Sequence, residues 1–82
     1  MPLTDRQQQI YDFIVGYVQE QLYPPSIREI RDGTGLKSTS SVVGHLKALE
    51  KKGMINITEY EPRAIKLVGY KVVKDIESNN NQ

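Results

Sequence analysis

The sequence predicts a mainly α-helical domain with a small β-hairpin near its C-terminal end, an α+β fold class. Two observations support this prediction. Apolar residues recur at helical spacing in three segments before Gly53, and they alternate in two short segments after it. The 82 residues, 38% of them hydrophobic, suffice for one modest core. We expect one domain over residues 1–68 and a linker-like or disordered tail over residues 69–82.

The first helix is expected to begin after Thr4 and to end near Leu22. The spacing Thr4-x-x-Gln7 is that of a capping box, in which each residue satisfies a free backbone amide of the other. The pair Pro24-Pro25 prevents the helix from continuing. The apolar stripe of this helix consists of Ile10, Phe13, Ile14, Tyr17, Val18 and Leu22.

Two more helices are expected to follow. Ser26-x-x-Glu29 repeats the capping pattern and predicts a short second helix, which Gly35 closes because a helix C-terminus often needs a left-handed residue. After a short turn, Ser38 is expected to cap a third helix that runs to about Lys52. The buried stripe of the third helix is Val42, Leu46 and Leu49.

The alternating segments Met54–Thr58 and Arg63–Val68 predict two strands, joined by a turn at residues 59–62. The segment from Gly69 to Glu77 fits either a further strand or a linker. Three helices, a tight turn between the second and the third, and a following hairpin together predict a winged helix-turn-helix.

The composition narrows the class of protein. The net charge is +1, and the absence of cysteine excludes disulfide frameworks, thiolate metal sites and thiol nucleophiles. No apolar run approaches the roughly 20 residues that span a bilayer, and the N-terminus lacks a signal-peptide pattern. We expect a cytoplasmic protein without membrane contact, metal, cofactor or small-molecule substrate. Basic residues exceed acidic ones only from Lys37 to Lys74, so the positive field lies on the second half of the domain.

The outward face of the third helix is the candidate functional site. At about 100° per residue, the core stripe lies opposite an outward face. This face carries small residues in its N-terminal half and lysines in its C-terminal half. Such a face suits a DNA major groove: serine hydroxyls and lysines bond base edges or phosphates, glycine permits close approach, and valine contacts a thymine methyl. The residues concerned are Ser38, Ser40, Ser41, Val43, Gly44, Lys47 and Lys51. Periodicity alone leaves an alternative open, in which Ser38 and Ser41 only cap the helix, and Lys47 and Lys51 only face solvent.

Five segments, in order over about Leu3 to Val68, resemble the N-terminal DNA-binding domain of the LexA family of bacterial SOS repressors, and the Gram-positive branch most. They are Leu3-Thr4-Asp5-Arg6-Gln7-Gln8, Tyr23-Pro24-Pro25-Ser26-Ile27-Arg28-Glu29-Ile30, Gly35-Leu36-Lys37-Ser38, Gly44 to Ile55, and Pro62-Arg63-Ala64-Ile65-Lys66-Leu67. The resemblance implies a third helix that reads one half of a palindromic operator in double-stranded DNA. By position it places bases near Ser38, Ser40, Ser41, Val43 and Gly44, and the DNA backbone near Lys52 and Arg63.

The resemblance also has a limit. Repressors of this family continue through an Ala-Gly cleavage site into a peptidase domain with a Ser/Lys dyad and the dimer interface. This sequence ends soon after the hairpin and has no Ala-Gly dipeptide. We therefore expect no self-cleavage, no enzyme activity, and at most a weak homodimer on DNA.

The leading hypothesis is a sequence-specific DNA-binding module that represses transcription. The alternative is a protein-interaction module of winged-helix fold that pairs with other regulators. Its contact strip would be Tyr70, Val72, Val73 and Ile76.

Overall fold

The computed structural model of the chain describes residues 2–58, 61 and 63–69. Within these ranges it shows three α-helices followed by a two-stranded antiparallel sheet. The helices are α1 (Asp5–Gln21), α2 (Ile27–Thr34) and α3 (Thr39–Lys51), and the strands are β1 (Ile55–Ile57) and β2 (Ile65–Leu67). This is the order of a winged helix-turn-helix, so the predicted α+β fold class is confirmed.

Both predicted capping boxes form. The Gln7 amide donates to Thr4 Oγ1 over 3.1 Å, and the Thr4 amide donates to Gln7 Oε1 over 3.1 Å. At the start of α2, the Glu29 and Ser26 pair makes the same exchange. Each box satisfies amides that a helix N-terminus leaves free, which is why these two short motifs determine where the helices begin.

The ends of α1 and α2 differ from one another. Gly35 closes α2 in the left-handed region at φ 77°, as predicted. Leu22 closes α1 at φ 65°, a conformation that costs a residue with a Cβ about 1 kcal/mol or more. Its placement in the apolar stripe of α1 was wrong: the helix ends before it, and Leu22 is 46% exposed.

The core lies where the three helices meet the sheet. Its buried side chains are Ile10, Ile14, Ile30, Val42, Leu46, Leu49, Ile55 and Ile65. Leu36, in the turn between α2 and α3, packs against this cluster. The predicted core stripe of α3 is thus confirmed, and α3 packs against the core through one face only.

Gly33 allows α1 and α2 to approach closely. A Cβ added at Gly33 would overlap the ring of Phe13. Because that ring packs against the core, it cannot move aside without disturbing its neighbours. The glycine therefore helps to set the distance between α1 and the helix-turn-helix unit.

The two strands form the wing, which we define as residues 55–67. Ile55 pairs with Leu67, Asn56 with Lys66, and Ile57 with Ile65. The strands are shorter than predicted, at three residues each. Alternation directs the isoleucines and Leu67 toward the core and exposes Asn56 and Lys66.

Candidate nucleic-acid interface

The outward face of α3 is open to solvent. Ser40, Gly44, Lys47 and Lys51 are all exposed, whereas Val42, Leu46 and Leu49 are buried on the opposite side. Val43 lies half-buried at the edge between the two faces. The division of the helix predicted from its period is confirmed, and the outer face of α3 is accessible to solvent.

Three serines at the start of α3 have different tasks. Ser38 is the N-cap: its Oγ accepts from the Ser41 amide over 3.2 Å and donates to Ser41 Oγ over 3.2 Å. Within the described ranges the Ser40 hydroxyl has no hydrogen-bond partner, although it is exposed on the same turn. Ser38 and Ser41 thus serve capping, as in the alternative reading, while the Ser40 hydroxyl is available to an external partner.

The outer face of α3 is open at Gly44. A Cβ built at this position meets no atom within 4 Å, so there is empty space beside the helix backbone. Glycine costs a helix interior about 1 kcal/mol relative to alanine. The fold itself does not require a glycine here.

Lys47 and Lys51 lie one turn apart on the exposed face. Among the residues that the structure describes, neither ammonium group has a carboxylate partner. The nearby Glu50 carboxylate is engaged elsewhere, because its Oε2 accepts from the Ile57 amide of β1 over 3.0 Å. Within the described part of the chain, both positive charges therefore face solvent.

Lys52 is engaged within the chain. Its Nζ donates to Gln7 Oε1 over 2.7 Å and to the Pro2 carbonyl over 3.1 Å. These bonds connect the C-terminal end of α3 to the start of α1. The residue contributes positive charge to this end of α3, but its donors already have acceptors.

Arg63 is half-buried and contacts α2 and the connection between α1 and α2. Its Nη1 and Nη2 donate to the two carboxylate oxygens of Glu29 over 2.7 and 3.2 Å. Nη1 also donates to the Pro24 carbonyl over 2.7 Å, and the guanidinium carbon lies 4.5 Å from the centre of the Tyr23 ring. The Tyr17 hydroxyl lies 3.5 Å from Nη1. A two-pronged pair of this kind is among the stronger contacts available to arginine.

The contacts around Arg63 shift the pKa values of three side chains, those of Glu29, Arg63 and Tyr17. The hydrogen bonds from Arg63, and then the Ser26 amide, lower the pKa of Glu29 from 4.5 to about 2. The same pair raises the pKa of Arg63, and burial raises the pKa of Tyr17. Because the folded-state pKa of Glu29 is depressed, the pair stabilises the fold above about pH 4.5, and this contribution is lost as the pH falls toward 2.

Sequence comparison identifies the family. The model of the LexA DNA-binding domain matches residues 1–64. The chain belongs to this family. LexA repressors of Clostridium perfringens, Caldicellulosiruptor saccharolyticus and Bacillus mycoides are 51%, 53% and 55% identical to it over 65, 66 and 67 residues. These matches cover 79%, 80% and 82% of the chain.

The chain spans about a third of the length of these LexA repressors, 32–33%. Membership in the LexA DNA-binding domain family assigns DNA binding to the domain. In the described residues no helix is long and apolar enough to cross a membrane. Those residues also hold no group of three or more His, Asp or Glu side chains that could bind a metal.

The structure groups the predicted site residues of this LexA family domain into two sets. Seven lie together at the start and along the outer face of α3: Ser38, Ser40, Ser41, Val43, Gly44, Lys47 and Lys51. Lys52 and Arg63 lie apart from them, in the internal contacts described above. The alternative contact strip, Tyr70 to Ile76, lies outside the described residues, as does all of the expected tail beyond Gly69.

Two residues important to this LexA family domain were not predicted as partners. Glu29 was identified only as a capping residue, and Glu50 was not singled out at all. Glu29 lies 34 positions from Arg63 along the chain, so no local pattern connects them. The sequence signals these two residues only weakly. Glu29 is a carboxylate near a helix start, and Glu50 is a carboxylate between Lys47 and Lys51.

Proposed function

We propose that this domain reads one half-site of a palindromic operator in double-stranded DNA by laying α3 in the major groove. In this role it acts as a repressor of transcription, like the LexA repressors to which it is similar, in the bacterial SOS response to DNA damage. A cytoplasmic location at the nucleoid belongs to the same proposal. The observation that supports it is the exposed face of α3, which has small side chains at one end and lysines at the other.

Each residue on this face has a proposed task. Ser40 bonds a base edge, since its exposed hydroxyl has no partner among the described residues, while Ser38 and Ser41 hold the helix start near the phosphates. Gly44 lets the helix backbone approach the bases, and Val43 contacts a thymine methyl group. Lys47 and Lys51 bond phosphates or guanine. Affinity of this kind falls steeply as salt rises, because each neutralised phosphate releases counterions.

Lys52 and Arg63 take a secondary place in the proposal. The family resemblance puts both near the DNA backbone, but their donors already have internal acceptors. A phosphate contact would require either side chain to give up at least one of these bonds. We therefore assign the phosphate contacts mainly to Lys47 and Lys51.

A single domain of this size presents one recognition helix. Useful specificity requires two copies on an inverted repeat, with half-site centres about one helical turn, roughly 34 Å, apart. We propose that a weak homodimer assembles on such a site. The two copies then share the duplex without a large interface between them.

Selection of binding sites from a random duplex pool tests this function. We expect the recovered sequences to share an inverted repeat whose half-sites are about one or two helical turns apart. A second round at higher salt should retain the same site with fewer recovered molecules. Recovery of unrelated sequences, with no shared half-site, would contradict the proposal.

A further inference from the structure

The contacts of Arg63 join three separate parts of the fold. Arg63 lies just before β2, Glu29 lies in the first turn of α2, and Pro24 and Tyr23 lie in the connection between α1 and α2. We call these four residues the wing clamp. The clamp connects the wing to α2, the helix that comes first in the helix-turn-helix unit.

The charged groups of the wing clamp already have partners within the chain. The Arg63 and Glu29 side chains are each 38% exposed. Their two-pronged contact fixes the orientation of the guanidinium plane and of the carboxylate plane. Glu29 Oε1 also accepts from the Ser26 amide over 2.8 Å, so one carboxylate serves the helix cap and the clamp together. If Arg63 turned toward a phosphate, the Glu29 carboxylate at the start of α2 would lose its ion-pair partner and keep only the Ser26 amide.

A second contact holds the other strand of the wing. Glu50 on α3 accepts from the Ile57 amide of β1. The wing is thus attached to α3 through β1 and to α2 through the wing clamp. With both contacts in place, the exposed Lys66 on β2 keeps a fixed position relative to the outer face of α3.

We infer that Arg63 is a positioning residue for DNA binding: it fixes the wing against α2 through Glu29 and contacts no phosphate itself. The inference rests on the proposed function, because the geometry it fixes is that of the DNA-binding surface. It also reverses the role that the family resemblance gives to Arg63. A positioning role and a phosphate role predict opposite results for conservative variants.

The test compares Arg63→Lys, Arg63→Gln and Glu29→Gln in titrations with the selected duplex at several salt concentrations. Arg63→Lys keeps the positive charge but loses the two-pronged contact. Glu29→Gln keeps a capping-box residue but removes the carboxylate. All measurements are made at a temperature where circular dichroism shows each variant to be folded, so that a loss of stability alone does not change the affinity.

We expect all three variants to bind at least about threefold more weakly, because fewer molecules hold the competent geometry. The dependence of log affinity on log salt should keep its wild-type slope in each. The double variant Arg63→Gln, Glu29→Gln should bind no more weakly than either single variant, because the two residues act through one contact. If Arg63→Gln does not fold, Arg63→Lys and Glu29→Gln carry the test.

Two results would overturn the inference. One is near wild-type affinity for Arg63→Lys together with a slope for Arg63→Gln that is reduced by about 0.9, the value for one lost phosphate contact. The other is unchanged affinity in all folded variants, which would leave the wing clamp with a role in stability only. Lys47→Gln, measured alongside, should lose about 0.9 of slope, and its failure to do so would count against the proposed function instead.

Discussion

The double variant Lys47→Glu, Lys51→Glu is expected to lose DNA binding almost completely. Reversing both charges replaces attraction to the phosphates by repulsion at the centre of the proposed interface. We expect affinity at about 0.1 M salt to fall by on the order of a hundredfold or more. Because both side chains are exposed and have no carboxylate partner among the described residues, the fold should be kept, with a modest loss of stability from an acidic residue in the last turn of α3. Fluorescence anisotropy with the selected duplex measures the loss.

A graded series at the same positions separates local charge from overall charge. The arginine variants of Lys47 and Lys51 should retain binding, the glutamine variants should weaken it, and the glutamate variants should weaken it most. Gln19→Glu on the exposed surface of α1 lowers the net charge by the same amount as Lys47→Gln and serves as the matched control. Equal losses for Gln19→Glu and Lys47→Gln would show that only the overall charge matters and would contradict the assignment to α3.

Gly44→Leu is expected to lower DNA affinity at least about tenfold, or roughly 1.4 kcal/mol, while keeping the fold. The new side chain occupies empty space in the free domain, since a Cβ at Gly44 meets nothing within 4 Å. Leucine also favours a helix over glycine by roughly 0.8 kcal/mol, so thermal unfolding should move upward or stay in place. On DNA, the same side chain would separate the helix backbone from the base edges.

Gly16 provides a matched control for this substitution. It is also an exposed glycine within a helix, and a Cβ there likewise meets nothing within 4 Å. Gly16→Leu should gain similar helix stability and leave DNA affinity unchanged, because α1 does not face the duplex in the proposal. Weaker binding by both variants, or by neither, would be inconsistent with a close approach of DNA to Gly44.

Local motifs explain why so much of the fold could be predicted from the sequence. Thr4-x-x-Gln7 and Ser26-x-x-Glu29 determine helix starts through contacts three residues apart, and both form as expected. The outer face of α3 follows from the period of 3.6 residues combined with a buried stripe. These features depend on neighbours along the chain, so no knowledge of the rest of the fold is needed to predict them.

The features that could not be predicted depend on distant residues. Arg63 meets Glu29 and Pro24 only because the wing folds back across the start of α2. Leu22 adopts a left-handed conformation that helical periodicity does not signal, and it leaves the apolar stripe as a result. The family resemblance places Arg63 near the DNA backbone, and no local pattern signals the internal partners that it has in the fold.

The central claim is that the outer face of α3 lies against the duplex. Amide chemical-shift mapping of isotope-labelled protein, titrated with the selected duplex, tests it most directly. The account predicts that the largest shifts fall at Ser40, Gly44 and Lys47, while the exposed residues Gly16 and Gln19 on α1 remain unchanged. Largest shifts on α1, with the outer face of α3 unperturbed, would contradict it.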